Sequence, residues 1–215
     1  MLMPLRHGKA SGFSIIELMV AVSILGIVMA IGIPSLSDWI RRGSVTSMAE
    51  SIQNGLRLSF GEAVKQNAPV QFILTDSDVS SATVTSAVAK DNGNNWMSRV
   101  LDRSTFPTAI SVLPSGYLAG GSSRELSGSS GSSGLSVEGP ASVIFNGAGR
   151  IVDTDGALLS TYQVYRISRT DVDKALCVFV TPGAGVKMCD PSYPSGDARS
   201  CAPMLTLTQC RKAGT

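Results

Sequence analysis

The sequence is poor in charge, in aromatic residues and above all in histidine. Charged residues make up 16% of its 215 residues and aromatic residues 6%, whereas a typical soluble domain has about 25% charged residues. The only histidine is His7, and no cysteine precedes Cys177. The net charge is only +2, which excludes a strongly basic protein, and a hydrophobic content of 43% excludes a disordered polyelectrolyte.

The longest apolar run lies near the N-terminus. Residues 1–12 contain two cations and no acid, and they precede the run Phe13–Ile33, whose only charge is Glu17. A membrane-spanning helix needs about 20 mainly apolar residues, and basic residues in front of it stay cytoplasmic. An ordinary secretory signal has a shorter apolar core with small residues after it. The run therefore predicts a single-pass membrane helix with the rest of the chain exported.

The acid within this run is a candidate functional group. A carboxylate inside a membrane helix costs about 3 kcal/mol and marks a functional site by default. If the chain were cut after Gly12, the new α-amine at Phe13 would lie one helical turn from Glu17. Between staggered helices of a bundle, the same pair would set the axial register. The alternative is a tolerated charge near the membrane interface.

The segment Gly12-Phe13-Ser14-Ile15-Ile16-Glu17, followed by its apolar run, resembles the class III signal of type IV pilins and type II secretion pseudopilins. The resemblance implies cleavage after Gly12 by prepilin peptidase and N-methylation of Phe13. It also implies that Glu17 meets the Phe13 amine of a neighbouring subunit and that Pro34 kinks the helix. Cleavage would leave 16 of the 18 basic residues, equal to the 16 acidic ones, and no histidine.

The pattern beyond Pro34 predicts a second, amphipathic half of the helix. Apolar residues recur at helical spacing at Val45, Met48, Ile52, Leu56, Phe60 and Ala63. The helix is expected to end near Gln66–Asn67, before Pro69. The predicted organisation is a cleaved leader (1–12), a membrane or filament-core helix (13–33), its amphipathic continuation (34–67) and a periplasmic β-rich domain (68–215).

Short β-like runs separated by turn-forming residues follow the helix. They are Val70–Thr75, Val79–Ala89, Thr108–Leu113, Ser142–Phe145, Tyr162–Ser168, Leu176–Thr181 and Gly185–Met188. Residues 119–139 form a Gly/Ser-rich stretch that predicts a loop. Trp96 lies in an apparently irregular stretch and is expected to be a packing residue.

Two segments of this part, Pro69–Phe72 after the helix and Val143–Gly149, resemble the GspH/FimT family of minor pilins and pseudopilins. The resemblance implies a type IV pilin-like α+β fold, in which a long N-terminal transmembrane helix packs on an antiparallel β-sheet domain. It also implies a late hairpin, formed here by Cys177–Thr181 and Gly185–Cys189.

All four cysteines lie in the last 39 residues, beyond the predicted membrane segment. An even number of exported cysteines predicts disulfides, and four cysteines allow three pairings. We favour Cys177–Cys189, across the predicted hairpin, and Cys201–Cys210, which would close the tail. A zinc site is disfavoured, because the spacings lack a short C-x₂₋₄-C knuckle.

Catalysis is not expected, and neither is a cofactor or a bound metal. The processed chain would have no histidine for a Ser–His or Cys–His device, and no phosphate-binding or dinucleotide motif is present. Asp153-Thr154-Asp155-Gly156 resembles the start of a calcium loop, but residue 164, where the loop needs its acid, is Val. A strand-joining turn is the favoured interpretation.

DNA is a further candidate ligand, because some members of the GspH/FimT family bind DNA through basic residues of the late hairpin. Here that hairpin offers only Lys187, with Arg199, Arg211 and Lys212 in the tail. So few cations predict at most weak, salt-sensitive binding, and a solvated tail is the favoured alternative.

These patterns together predict a minor pilin that takes part in type IV pilus assembly, within a priming or tip complex. Its expected partners are prepilin peptidase, the inner-membrane assembly platform and other minor and major pilins. It would first be a single-pass inner-membrane protein with a periplasmic C-terminal domain, and then part of a pilus or pseudopilus. The alternatives are a pseudopilin of a type II secretion system and a DNA-binding minor pilin for natural DNA uptake.

Overall fold

The described part of the protein, seen in a computed structural model, has one long helix and two antiparallel sheets. The structure describes residues 13–122, 134–201, 205 and 210, without the side chains of residues 31–35. The described elements are α1 (Ile15–Gln66), β1 (Val70–Thr75), β2 (Asn95–Leu101), β3 (Val112–Ser122), β4 (Leu135–Glu138), β5 (Ser142–Phe145), β6 (Ile151–Val152), β7 (Gln163–Arg169), β8 (Ala175–Val180) and β9 (Val186–Cys189). The α+β class expected from the sequence is confirmed.

The chain divides into two compact units, Met1–Ile40 and Arg41–Thr215, and helix α1 begins in the first and ends in the second. In the first unit every described side chain from Phe13 to Ala30 is exposed. This part of the helix is apolar around its whole circumference, so it has no polar face to turn towards water. Among the residues with described side chains, no helix combines the length and apolar character that crossing a membrane requires.

In the second unit, α1 packs one apolar face on both sheets. Val45, Met48, Ile52, Leu56 and Ala63 are fully buried, at the i, i+3, i+4 spacing that places residues on one side of a helix. Phe60 is partly buried and packs against the same core. The amphipathic pattern in the sequence therefore identified the buried face of this half of the helix.

The helix face meets aromatic side chains from both sheets. The five-stranded sheet has the order β3-β2-β1-β5-β6 and the four-stranded sheet the order β4-β7-β8-β9. Phe72 of β1 stacks on Trp96 of β2 at 5.4 Å between ring centroids and meets Tyr165 of β7 edge-on at 5.6 Å. The Trp96 indole N–H donates to Ser51 of α1 at 2.9 Å. Trp96 is thus a core packing residue, as predicted.

The prediction of a strand over Val79–Ala89 is wrong, because these residues form turns in the structure. Thr83 holds them together, because its hydroxyl donates to the Asp78 carbonyl at 2.6 Å and accepts from the Ser80 N–H at 3.1 Å. Val84 and Ala87 nevertheless pack on Ile73 and Met97, on the opposite side of the five-stranded sheet from the helix. The apolar residues of this segment are therefore explained by its packing on the sheet, which it covers on the side away from the helix.

Two glycines of α1 lie in opposite environments, which gives a matched test of this packing. A Cβ on Gly55 would lie 2.5 Å from Cζ3 of Trp96, whereas a Cβ on Gly61 would meet nothing within 4 Å. We expect Gly55→Ala to lower the free energy of unfolding by about 1–3 kcal/mol through overpacking. We expect Gly61→Ala to raise it by about 0.5–1 kcal/mol through helix propensity.

The measurement is urea unfolding of the full chain in detergent, followed by Trp96 fluorescence in a Trp39→Phe background. If the two alanine variants shift the unfolding midpoint in the same direction, the close approach of α1 to Trp96 is wrong.

Candidate functional site

The N-terminal candidate site is centred on the first turn of α1. The first helical hydrogen bond runs from the Leu18 N–H to the Ser14 carbonyl, at 3.1 Å, so Ser14 occupies the N-cap position and Glu17 the third helical position. Ser at the N-cap with Glu at N3 is the capping-box pattern, and a carboxylate there also interacts favourably with the helix dipole. The sequence at the helix start therefore fits a capping box, and Glu17 is a candidate for capping in addition to its predicted role in assembly.

The residues around this turn are open to partners. Phe13 is 84% exposed, and the predicted cleavage residue, Gly12, lies outside the described residues. The following large apolar side chains are all more than half exposed: Ile15, Ile16, Leu18, Met19, Val20, Val22, Ile24, Leu25, Ile27, Val28 and Met29. The described part of the first unit thus offers a continuous apolar surface. The side chain of Pro34, the predicted kink residue, is not described.

The predicted disulfide pairing is wrong. The structure contains Cys177–Cys210 and Cys189–Cys201, with Cα–Cα distances of 6.1 and 5.0 Å. Cys177 and Cys189 do lie opposite each other in the β8–β9 register, as the predicted hairpin required. However, Cys201, Leu205 and Cys210, the described tail residues of this region, pack in the same buried cluster as the two hairpin cysteines. Each hairpin cysteine therefore has a tail cysteine within reach.

Two of the four predicted DNA contacts can be located. Lys187 is exposed on the edge strand β9. Arg199 donates from both Nε and Nη2 to Asp197, at 3.1 and 3.0 Å, and its guanidinium lies 3.7 Å above the Tyr193 ring. Arg199 holds the pKa of Asp197 below its usual value, and Asp197 raises the pKa of Arg199.

The Arg199 guanidinium is therefore already paired with the Asp197 carboxylate. Arg211 and Lys212 lie outside the described residues, so weak, salt-sensitive DNA binding stays a prediction.

The segment Asp153–Gly156, which resembles the start of a calcium loop, is held by hydrogen bonds within its own turn. The Asp153 carboxylate accepts hydrogen bonds from the backbone N–H groups of Asp155 and Ala157, at 3.0 and 2.8 Å. Gly156 has a φ of 78°, which favours glycine in such turns. Asp153 thus stabilises the connection between β6 and Leu158, which pairs with Val152. These contacts fit the strand-joining turn favoured from the sequence.

Arg166, on the outer face of the four-stranded sheet, was not predicted from the sequence as a site residue. In the register it lies between Glu138 of β4 and Cys177 of β8. Its Nε and Nη1 atoms are buried without a hydrogen-bond acceptor, and Nη1 lies 3.7 Å from the Glu138 carboxylate. The signal was the alternation in Val164-Tyr165-Arg166, which places Arg166 on the side of the sheet opposite Tyr165.

Comparison with known proteins identifies the N-terminal segment. The family described as "Prokaryotic N-terminal methylation motif" matches residues 8–33. Over 43 residues the chain is 42% identical to the prepilin peptidase-dependent protein D of Escherichia coli (strain K12). This match covers 20% of the chain and 30% of that relative, so the similarity spans about a third of its length.

Two solved structures resemble the chain over a larger share of its length. The type IV minor pilin FimU of Pseudomonas aeruginosa (strain PAO1) aligns with a TM-score of 0.48 and 16% identity, covering 73% of this chain and 97% of FimU. The minor pseudopilin EpsH of the Vibrio cholerae Type 2 Secretion System aligns with a TM-score of 0.44 and 12% identity, covering 70% and 99%. The matched residues, 8–33, include the exposed apolar part of α1. The N-terminal segment of this chain is therefore of the prokaryotic prepilin type.

Proposed function

We propose that this chain is a minor pilin that takes part in type IV pilus assembly, as a subunit of a priming or tip complex. The observation that carries the proposal is the N-terminal methylation motif over residues 8–33, joined to the first part of α1, where every described apolar side chain from residue 13 to residue 30 is exposed. Such a helix needs other apolar surfaces around it, and neighbouring subunits of a filament core supply them.

Processing is the first proposed step. Prepilin peptidase cleaves after Gly12, and the new α-amine at Phe13 is then methylated. The exposure of Phe13 at the start of α1 supports this step, because an enzyme can reach the residue without unfolding the helix. Phe13 and Glu17 then lie one helical turn apart, so a charged pair between neighbouring subunits fixes their axial stagger.

Assembly is the second proposed step. The segment Phe13–Ile33 first holds the chain in the inner membrane, with residues 68–215 in the periplasm, and then enters the filament core through the assembly platform. Because lipid tails are as apolar as these side chains, packing between helices, rather than removal from water, stabilises the segment in the core. The globular unit stays outside the core and presents its surface to other minor and major pilins.

A pseudopilin of a type II secretion system is the alternative that uses the same chemistry. Both machines need the leader, the methylated amine and the apolar helix, so these features favour neither. The tail cysteines and the Gly/Ser-rich stretch led us to prefer the pilus. Natural DNA uptake is a third possibility, and the pairing of Arg199 with Asp197 makes it less favoured.

The proposal is tested by deleting the gene and measuring surface pilin in sheared fractions. We expect the fraction to be lost and to return with the wild-type gene or with Gly43→Ala, where a Cβ meets nothing within 4 Å. We expect Gly12→Val to fail and to accumulate as a longer, unprocessed chain. Unchanged surface pilin in the deletion strain would contradict a role in the pilus and favour the secretion system or DNA uptake.

A further inference from the structure

The four cysteines belong to one buried cluster, and three of them bring their sulfur atoms close together. Each of them is at most 6% exposed. The Sγ atoms of Cys177, Cys201 and Cys210 lie within 4.8 Å of one another, although Cys201 is not bonded to either of the other two. The Sγ–Sγ distance between Cys201 and Cys210 is 4.0 Å. Cys189, bonded to Cys201, lies opposite Cys177 in the β8–β9 register.

A partly buried cation, with its side chain 20% exposed, lies beside this cluster. Arg166 is the register partner of Cys177, and directly opposed residues of an antiparallel pair have Cβ atoms about 4.5–5.5 Å apart. Its Nε and Nη1 atoms are buried without an acceptor. Arg166 and Cys210 also line the same cavity of about 540 Å³. The other charged groups of that cavity are Arg42, Asp173, Lys174 and Asp190, so positive charges outnumber negative ones.

A neighbouring cation lowers the pKa of a thiol, and a thiol of lower pKa leaves a disulfide faster. In the oxidised protein Cys177 is bonded to Cys210 and carries no charge, so Arg166 gains nothing from it. Nη1 of Arg166 lies 3.7 Å from the Glu138 carboxylate on β4, and a thiolate at Cys177 on β8 would add a second anion beside the same guanidinium. Of the two sulfurs in the Cys177–Cys210 bond, Cys177 is therefore the better leaving group.

We propose that the cluster is a disulfide relay, which passes a reduction at Cys189–Cys201 inward to Cys177. The reagent class is a dithiol, either a small molecule or the dithiol of an oxidoreductase. Its thiolate bonds to Sγ of Cys189, the Cys189–Cys201 bond breaks, and the electron pair stays on Sγ of Cys201. The Cys201 thiolate then bonds to Sγ of Cys210, and the Cys177–Cys210 bond breaks with its electron pair on Sγ of Cys177.

The second thiol of a dithiol completes the reduction by attacking the reagent's sulfur bonded to Cys189. It forms the reagent's own disulfide and releases Cys189 as a thiolate. Two electrons have then passed from the dithiol to the protein, and each step has made one S–S bond and broken one. The protein now holds Cys201–Cys210, with thiols at Cys177 and Cys189. The new tail bond has replaced the two bonds that fastened the tail to β8 and β9.

The relay is tested on the full chain in detergent with one molar equivalent of dithiothreitol under native conditions. Free thiols are trapped with iodoacetamide and located by peptide mapping. We expect the label on Cys177 and Cys189, together with a new Cys201–Cys210 peptide. Label confined to Cys189 and Cys201, label on Cys177 and Cys210, or no label at all would each overturn the relay.

The part played by Arg166 has its own measurement in the same assay. Arg166→Gln removes the cation, and we expect it to lower the ratio of Cys177 label to Cys201 label about tenfold, because a nearby charge shifts a pKa by about one unit or more. Arg199→Gln is the matched control, since that arginine is paired with Asp197 in the tail. An unchanged ratio in Arg166→Gln, or an equal change in both variants, would overturn the role of Arg166.

Discussion

Arg99→Ala is expected to destabilise the globular unit by about 3–5 kcal/mol. Arg99 is 5% exposed on β2, and burial lowers the pKa of its guanidinium, although arginine stays charged in proteins. The guanidinium donates to the Gln71 side chain at 3.1 Å and to the backbone carbonyls of Val84 and Ala87 at 3.0 and 2.8 Å. Each acceptor left buried without a partner costs about 1–3 kcal/mol.

Removing a buried charge also removes its desolvation cost, which works in the opposite direction. This gain is smaller than the loss, because three acceptors are left unpartnered and a cavity forms where the side chain was. Arg99→Met refills part of that cavity but leaves the same acceptors, so we expect an intermediate loss. Arg150→Ala is the control: Arg150 is exposed, and among the described residues its side chain donates only to the Pro182 carbonyl, at 3.3 Å, so the variant should change stability by no more than about 0.5 kcal/mol.

The measurement is urea unfolding of the full chain in detergent, with hydrogen exchange as a second readout. Exchange should quicken first at Val84–Lys90, since Arg99 fastens this covering segment to the sheet. Stability of Arg99→Ala within about 0.5 kcal/mol of wild type would contradict this view of Arg99.

The helical half of the fold could be predicted from the sequence because its signal is local. The spacing from Val45 to Ala63 identified the buried face, and Pro69 indicated the end of the helix at Gln66. Strand β1 was predicted with its true bounds, Val70–Thr75, because a compact apolar run follows a clear helix stop. In each case the decisive residues are neighbours in the chain.

Strand β2 could not be predicted, because both of its faces are covered. All seven residues of Asn95–Leu101 are buried, so polar Ser98 and Arg99 lie inside and the alternation that marks a half-exposed strand is missing. The Ser98 hydroxyl forms a hydrogen bond with the Ser59 hydroxyl of α1, at 2.7 Å between the oxygen atoms. The end of β3 was hidden in the Gly/Ser-rich stretch for a related reason: Gly121 lies against the Trp96 indole, where a Cβ would come within 2.7 Å of Nε1.

The disulfide pairing was wrong for a different physical reason. The hairpin was located correctly, and its register does oppose Cys177 and Cys189. Local spacing favoured bonds within the hairpin and within the tail. Cys201 and Cys210 instead pack with Phe179 and the two hairpin cysteines. That contact joins segments distant in sequence, and no local pattern encodes it.

Glu17→Ala is expected to leave the protein folded but to lower its incorporation into filaments at least tenfold. The variant removes the anion proposed to pair with the Phe13 amine of a neighbouring subunit, and about 1.4 kcal/mol of lost pairing corresponds to a factor of ten. The amine would then stay unpaired among apolar helices, which raises the cost further. The measurement is the amount of the chain in sheared filaments relative to the amount in the inner membrane.

Alanine alone cannot separate assembly from helix capping, because Glu17 also occupies the third helical position after Ser14. Glu17→Gln separates them, since Gln serves in a capping box as Glu does but carries no charge. If the charged pair sets the stagger, Glu17→Gln should fail to incorporate almost as severely as Glu17→Ala. If capping is the only role, Glu17→Gln should incorporate normally, and Ser14→Ala should be as defective as Glu17→Ala. The first pattern supports the register mechanism, and the second would replace it with a purely local role at the start of α1.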